Sequence, residues 1–150
     1  LLEIVLPHNI YMGQKDFQQF TIIQSMLNQI NSETKLRVCP IVREEDGLAM
    51  SSRNVRLKPE LRKKATLIHQ MLLQAKEKSE TQSPTEIKKS AIEKLTIPDF
   101  RPEYFEITDG NTLMPAENFE DSNYIVACTA VWVGDVRLID NMILKKETGN

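Results

Sequence analysis

The stretch that decides the fold runs from Asn9 to Val42. It opens Asn9-Ile10-Tyr11-Met12-Gly13, continues Gln14-Lys15-Asp16-Phe17-Gln18-Gln19-Phe20, and closes Lys35-Leu36-Arg37-Val38-Cys39-Pro40-Ile41-Val42. The first run is short, apolar and ended by glycine, which reads as a buried strand. From Lys15 to Ile30, apolar residues fall at Phe17, Phe20, Ile23, Met26, Leu27 and Ile30, the steps of one helical face, and Asn31-Ser32 ends the helix. Lys35 to Val42 is β-branched and aliphatic, hence a second strand. Strand, helix, strand with short connections is a βαβ unit, and its strands are parallel. Such strands need neighbours and helices on both faces, and two make no stable sheet alone. The rest of the sheet is therefore expected upstream of Leu1. The chain starts at Leu1 rather than Met, and Leu1 to Pro7 reads as the tail of a helix stopped by proline. Both features predict a truncated chain.

Beyond Asn54 the character changes. Lys58-Pro59-Glu60 opens a helix with proline at its first position, and Leu61, Ala65, Ile68, Leu72 and Ala75 form its apolar face. Ser83-Pro84-Thr85-Glu86 starts another, with Ser83 and Glu86 spaced as a capping box; Ile87, Ala91 and Leu95 face the core and Pro98 ends it. Tyr104 to Ile107, Asn123 to Val133 and Val136 to Leu144 read as strands, the last two joined by a tight turn at Gly134-Asp135. The expected architecture is α/β plus α+β. A partial Rossmann-like βαβ unit (residues 1–56) precedes a small C-terminal lid (57–150) with helices and a three-stranded antiparallel sheet.

Composition narrows the function. Hydrophobic residues make up 41% and charged residues 27%, enough for a packed core and too ordered a mix for wholesale disorder. A net charge of -2 leaves no footprint for a polyanion such as nucleic acid. Cys39 and Cys128 lie in apolar strand-like runs, with no CxxC pair, so they are expected to be two buried free thiols in a reducing compartment. No apolar run is long enough to span a membrane and no signal-peptide pattern opens the chain, which favours the cytoplasm.

Two motifs carry the candidate chemistry. In Gly13-Gln14-Lys15-Asp16-Phe17-Gln18-Gln19 a glycine lets backbone approach a ligand, Lys15 offers a charge for phosphate, and Asp16 can accept from ribose hydroxyls. Gln18 and Gln19 lie about 100° apart on a helix, so one is expected to face the site. The same residues also read as an N-terminal aspartate complementing the helix dipole beside a solvated lysine. In Asp46-Gly47-Leu48-Ala49-Met50-Ser51-Ser52-Arg53-Asn54, two hydroxyls and a guanidinium follow a turn signal, a mobile loop suited to triphosphate oxygens. It also reads as a serine-rich linker. His8 and His69 are structural or solvated, and Arg43-Glu44-Glu45 receives no chemistry. Arg62-Lys63-Lys64 is a solvated helix face. Trp132 is expected to pack between the two units, and Asp140-Asn141 to hold the last strand through local hydrogen bonds.

Together the motifs resemble pantoate–β-alanine ligases of the HIGH nucleotidylyltransferase superfamily. The resemblance is strongest at Gly13-x-Lys15-Asp16-x-Gln18-Gln19 and Arg43-Glu44-x-Asp46 through Asn54. It extends to Tyr104-Phe105-Glu106-Ile107 and Gly134 through Asn141. It implies ligation of pantoate and β-alanine through pantoyl adenylate, with ATP and Mg2+, no membrane or nucleic-acid partner, and a homodimer. By that resemblance Lys15 binds ATP phosphates, Gly13 and Asp16 the ribose, Val42 and Met50 the adenine, and Gln19 pantoate. Ser51, Ser52 and Arg53 form the loop that steadies the departing phosphates. The family's His-x-Gly-His motif and a second pantoate-binding glutamine have no counterpart in these 150 residues, so the chain alone is expected to be inactive. A non-catalytic, self-associating fragment and another adenylyl-transferring enzyme of the same superfamily stay open as alternatives. Loss of neighbouring parallel strands would expose Ile10, Met12, Val38 and Ile41 and favour self-association.

Overall fold

A computed structural model describes residues 2–147. Leu1, assigned above to the helix tail, and residues 148–150, assigned above to the lid, lie outside them. Among the described residues the order is α1 (Leu2–Val5), β1 (Asn9–Gly13), α2 (Phe17–Gln29), β2 (Lys35–Cys39), a 3-10 turn (Asn54–Arg56), α3 (Pro59–Lys64), α4 (Thr66–Lys78), α5 (Pro84–Leu95), β3 (Phe100–Asp109), β4 (Tyr124–Val133) and β5 (Val136–Lys146). The first two strands pair in parallel, from Asn9 with Lys35 to Gly13 with Cys39. The strand expected to reach Val42 stops at Cys39, because Pro40 has no N–H to give the ladder. Asn31 closes α2 at a φ of 49°, with Ser32 N–H bonded to the Leu27 carbonyl and Asn31 N–H to that of Asn28. This is a Schellman end with asparagine in the left-handed position.

β3, β4 and β5 form an antiparallel sheet in that order. Both faces are covered. Ile125, Ala127, Val131 and Val133 of β4 pack with Ile68, Leu72, Ile87 and Leu95 of α4 and α5. On the opposite face, Val126 and Cys128 pack with Phe17 and Phe20 of α2. The two phenyl rings meet edge-on at 4.7 Å, and each buried ring contributes about 1.5–3 kcal/mol. Central placement between two layers explains why β4 reads as an unbroken apolar run instead of alternating. The layers also tie the βαβ unit to the second sheet.

The helix expected from Lys58 onward breaks at Ala65. Ala65 is fully buried, and Thr66 turns its hydroxyl to the Lys63 carbonyl, diverting an acceptor from the helical ladder. The Ser83–Glu86 capping box forms in full. Ser83→Ala is expected to lower stability by about 1 kcal/mol in a urea titration, and an unchanged midpoint would show that the box contributes nothing. Gly134 takes a φ of 55°, as the first position of a two-residue hairpin favours.

Three expectations are corrected. Cys39 is exposed, because only β1 flanks its strand; Cys128 is buried, which pushes its thiol up to about 12. Trp132 does not pack between the units: it lies beside the hairpin, donating to Glu103 Oε2 at 3.1 Å under the Arg101 guanidinium. Of the four side chains expected at the surface, Val38 is exposed, whereas Ile10, Met12 and Ile41 are half-buried. No described helix is long and apolar enough to cross a membrane.

Candidate nucleotide site

β1 delivers Gly13 to the end of the parallel pair, and the chain turns there into α2. The space that a Cβ on Gly13 would occupy is open, so packing does not require glycine at this corner. Asp16 is the N-cap of α2 yet makes no capping hydrogen bond. Its exposed carboxylate is left to other partners, which weakens the reading of Asp16 as a plain helix cap. Lys15 is half-buried, and its ammonium donates to the Met50 carbonyl at 3.1 Å. Burial lowers the Lys15 pKa below the ordinary lysine range; the Asp16 and Asp140 carboxylates oppose the shift and the nearby Arg53 charge adds to it. Arg53, the cation of the second motif, is near enough for its charge to act on Lys15.

The second motif is a hairpin rather than a free linker. Arg43 bridges Ala49, Met50 N–H donates to the Val42 carbonyl at 2.9 Å, and Gly47 turns at a φ of 90°. Val42 and Met50 therefore sit face to face, both exposed. After the hairpin, Ser51 Oγ accepts from Arg53 N–H at 3.2 Å, and Asn54 is buried with its amide on the Ala49 carbonyl. Ser52 and Arg53 remain exposed. A Cβ on Gly47 would strike the imidazole of His69 in a backbone region that disfavours side chains. Gly47→Ala is expected to cost about 2 kcal/mol, read as a lower urea midpoint; a wild-type midpoint would mean the hairpin relaxes freely.

A cavity of about 150 Å³ lies between the start of α2 and the antiparallel sheet, bordered by Lys15, Asp16, Gln18, Gln19, Tyr104, Thr129, Arg137 and Asp140. Both glutamines border it, although one had been expected to turn away. They do so because the cavity wraps over the first turn of α2 instead of facing one side of it.

The sequence reading missed the polar residues that join the units. Arg43 grips the buried Asp140 through two bonds of 2.7 and 3.1 Å. Asn141 donates to the Gln14 and Lys15 carbonyls at 2.9 and 3.0 Å. These bonds are long-range, not local to the last strand. The available signal was the polar pair in the apolar run Leu138-Ile139-Asp140-Asn141-Met142-Ile143, since a buried carboxylate requires a cation. Arg62, expected to be solvated, pairs with Asp46 at 2.6 Å. Half-buried His69 rests against this hairpin, whereas His8 is exposed.

A lysine and an aspartate at the carboxyl end of a parallel strand, opening a helix, follow the layout of an open α/β nucleotide-binding fold. Residues 1–143 match the family model described as Pantoate-beta-alanine ligase, and the chain belongs to that family. It is 47% identical over 147 residues to a pantothenate synthetase of Bacteroides fragilis, covering 97% of this chain and 52% of that protein. A pantothenate synthetase of Fervidobacterium nodosum is 47% identical over 146 residues, covering 96% of this chain and 51% of that one. The crystal structure of pantothenate synthetase from Thermus thermophilus superposes with a TM-score of 0.87 at 35% identity, over 96% of this chain and 52% of that one. A pantoate-beta-alanine ligase from Francisella tularensis, complexed with beta-gamma ATP and beta-alanine, gives a TM-score of 0.62 at 29% identity, over 99% of this chain and 47% of that one. The chain spans about half the length of the curated relatives it matches.

Proposed function

We propose that this chain supplies the phosphate- and pantoate-binding part of an ATP-dependent pantoate–β-alanine ligase that works through pantoyl adenylate. The observation that carries the reading is the meeting of Lys15 with the second motif, ammonium on the Met50 carbonyl and Arg53 close by. Two like charges that repel one another are relieved by a polyanion, and a triphosphate is one. A pantoate carboxylate oxygen attacks the α-phosphorus, the bond to the β-phosphate oxygen breaks, and pyrophosphate leaves. The β-alanine amine then attacks the acyl carbon and sheds a proton as the bond to AMP breaks. Lys15 holds the phosphates, Gly13 and Asp16 the ribose, Val42 and Met50 the adenine, and Gln19 pantoate. Ser51, Ser52 and Arg53 steady the departing pyrophosphate. Catalysis on this account is positioning and charge stabilisation.

The described residues contain no cluster of three His, Cys, Asp or Glu able to cage a metal. Mg2+ is assigned to the ATP phosphates, where that ion is usually carried, and no step runs through it. We assign residues 1–56 to the nucleotide-binding unit and 57–150 to a lid, and place the protein in the cytoplasm, in keeping with two free thiols. The exposed Tyr11 of β1 and Val38 of β2, in strands that among the described residues each pair on one edge only, support self-association of the 150-residue chain. We expect sedimentation to find dimers or larger species; a monomer at high concentration would sink that expectation. The homodimer is proposed for the whole ligase.

The test is pantothenate formation from pantoate, β-alanine and ATP by the product of the gene that encodes these residues. Formation that requires all three substrates is expected from that product and none from residues 1–150 alone. No pantothenate from either would refute the assignment.

A further inference from the structure

We propose that Asp140 and Asn141 of β5 form a latch that sets the position of the Lys15 ammonium relative to the Ser51–Arg53 loop, which makes both of them positioning residues. The use of that position for phosphate rests on the function proposed above; the latch itself does not.

The geometry is a closed circuit. Asn141 lies in β5, yet its side-chain amide is spent wholly on the corner before α2. Nδ2 donates to the Gln14 carbonyl at 2.9 Å and to the Lys15 carbonyl at 3.0 Å, and Oδ1 accepts from Gln14 Nε2 at 3.2 Å. Lys15 then reaches Met50, its Nζ 3.1 Å from the carbonyl. Met50 is tied to Val42 across the hairpin. Next to Val42, Arg43 donates to the Gly47 carbonyl at 3.0 Å and returns to Asp140 at 2.7 Å. Asp140 Oδ1 accepts the Asn141 N–H at 2.8 Å, which completes the ring.

Both latch residues are buried, with Asn141 1% exposed. A merely structural polar pair could bond anywhere in the sheet. This pair holds the two carbonyls at and before the lysine and, through Arg43, the hairpin that receives the lysine's amine. Because Asp16 makes no capping bond, the corner has no local brace of that kind.

The test is the titration of the Lys15 side chain, followed by NMR in the 150-residue chain. In wild type the midpoint is expected below the ordinary lysine value of about 10.4, because burial disfavours the charged form. Asn141→Ala frees the corner, and the midpoint is expected to rise toward that value. Leu138→Ala, which removes core contacts on the face of β5 opposite Asn141, is expected to lower stability and leave the midpoint in place. Should Asn141→Ala fail to fold, Asn141→Leu serves, since it gives up both donors with little loss of volume. A folded Asn141 variant with the wild-type midpoint overturns the latch, as does an equal shift in Leu138→Ala. The readout needs no ligand, so a chain that binds no ATP loses the proposed function and can still confirm or overturn the latch.

Discussion

Lys15→Met lowers kcat/KM for ATP by roughly 10²–10³-fold in the product of the gene that encodes this chain, the loss typical of one removed transition-state donor. Methionine keeps much of the length and apolar stem of lysine and drops the charge. The amine's one side-chain bond in the structure is to the exposed Met50 carbonyl, so folding loses little. The effect should therefore appear in kinetics and be almost absent from thermal melting. Arg53→Met should weaken ATP in the same direction, because its charge is near enough to act on Lys15. Steady-state kinetics with ATP varied decide the matter. A Lys15→Met enzyme with wild-type kcat/KM would remove Lys15 from the phosphate site and leave it as a hairpin tether.

Arg43→Ala destabilises the chain by about 3 kcal/mol. Its partner Asp140 has a side chain only 2% exposed, whereas the Arg43 side chain keeps 22%, which puts the loss at the lower end of the buried-pair range. The penalty arises because, among the described residues, Asp140 keeps only the Asn141 N–H when the guanidinium is removed. The same reasoning makes the double variant Arg43→Met, Asp140→Leu milder than the single one, since no charge is left buried. Urea unfolding of the three variants measures this. A single variant within 1 kcal/mol of wild type would show that water reaches Asp140 freely.

The sequence was most legible where structure is local. The apolar spacing and terminal asparagine of α2, the serine and glutamate that cap α5, and the glycine of the β4–β5 turn each act within a few residues. Their elements lie where those signals put them. The antiparallel pairing of β4 with β5 followed from one short turn.

What could not be read depends on partners far along the chain. Cys39 sits in a run that resembles a buried strand, but burial depends on what flanks it, and only β1 does. Trp132 was expected between the two units, whereas Glu103 and Arg101 supply a hydrogen bond and a stacked cation at the surface. The bonds from Asn141 to Gln14 span 127 residues, and nothing short-range announces them. The candidate site divides the same way. Lys15, Asp16 and the serine loop were visible as motifs, while the residues that bring the motifs together were not.

The central claim is adenylation of a carboxylate, and the nucleotide product tests it most directly. Products are separated after the enzyme turns over pantoate, β-alanine and ATP. AMP and pyrophosphate, formed in step with pantothenate and dependent on pantoate, are the predicted outcome. ADP and inorganic phosphate in their place would contradict the account.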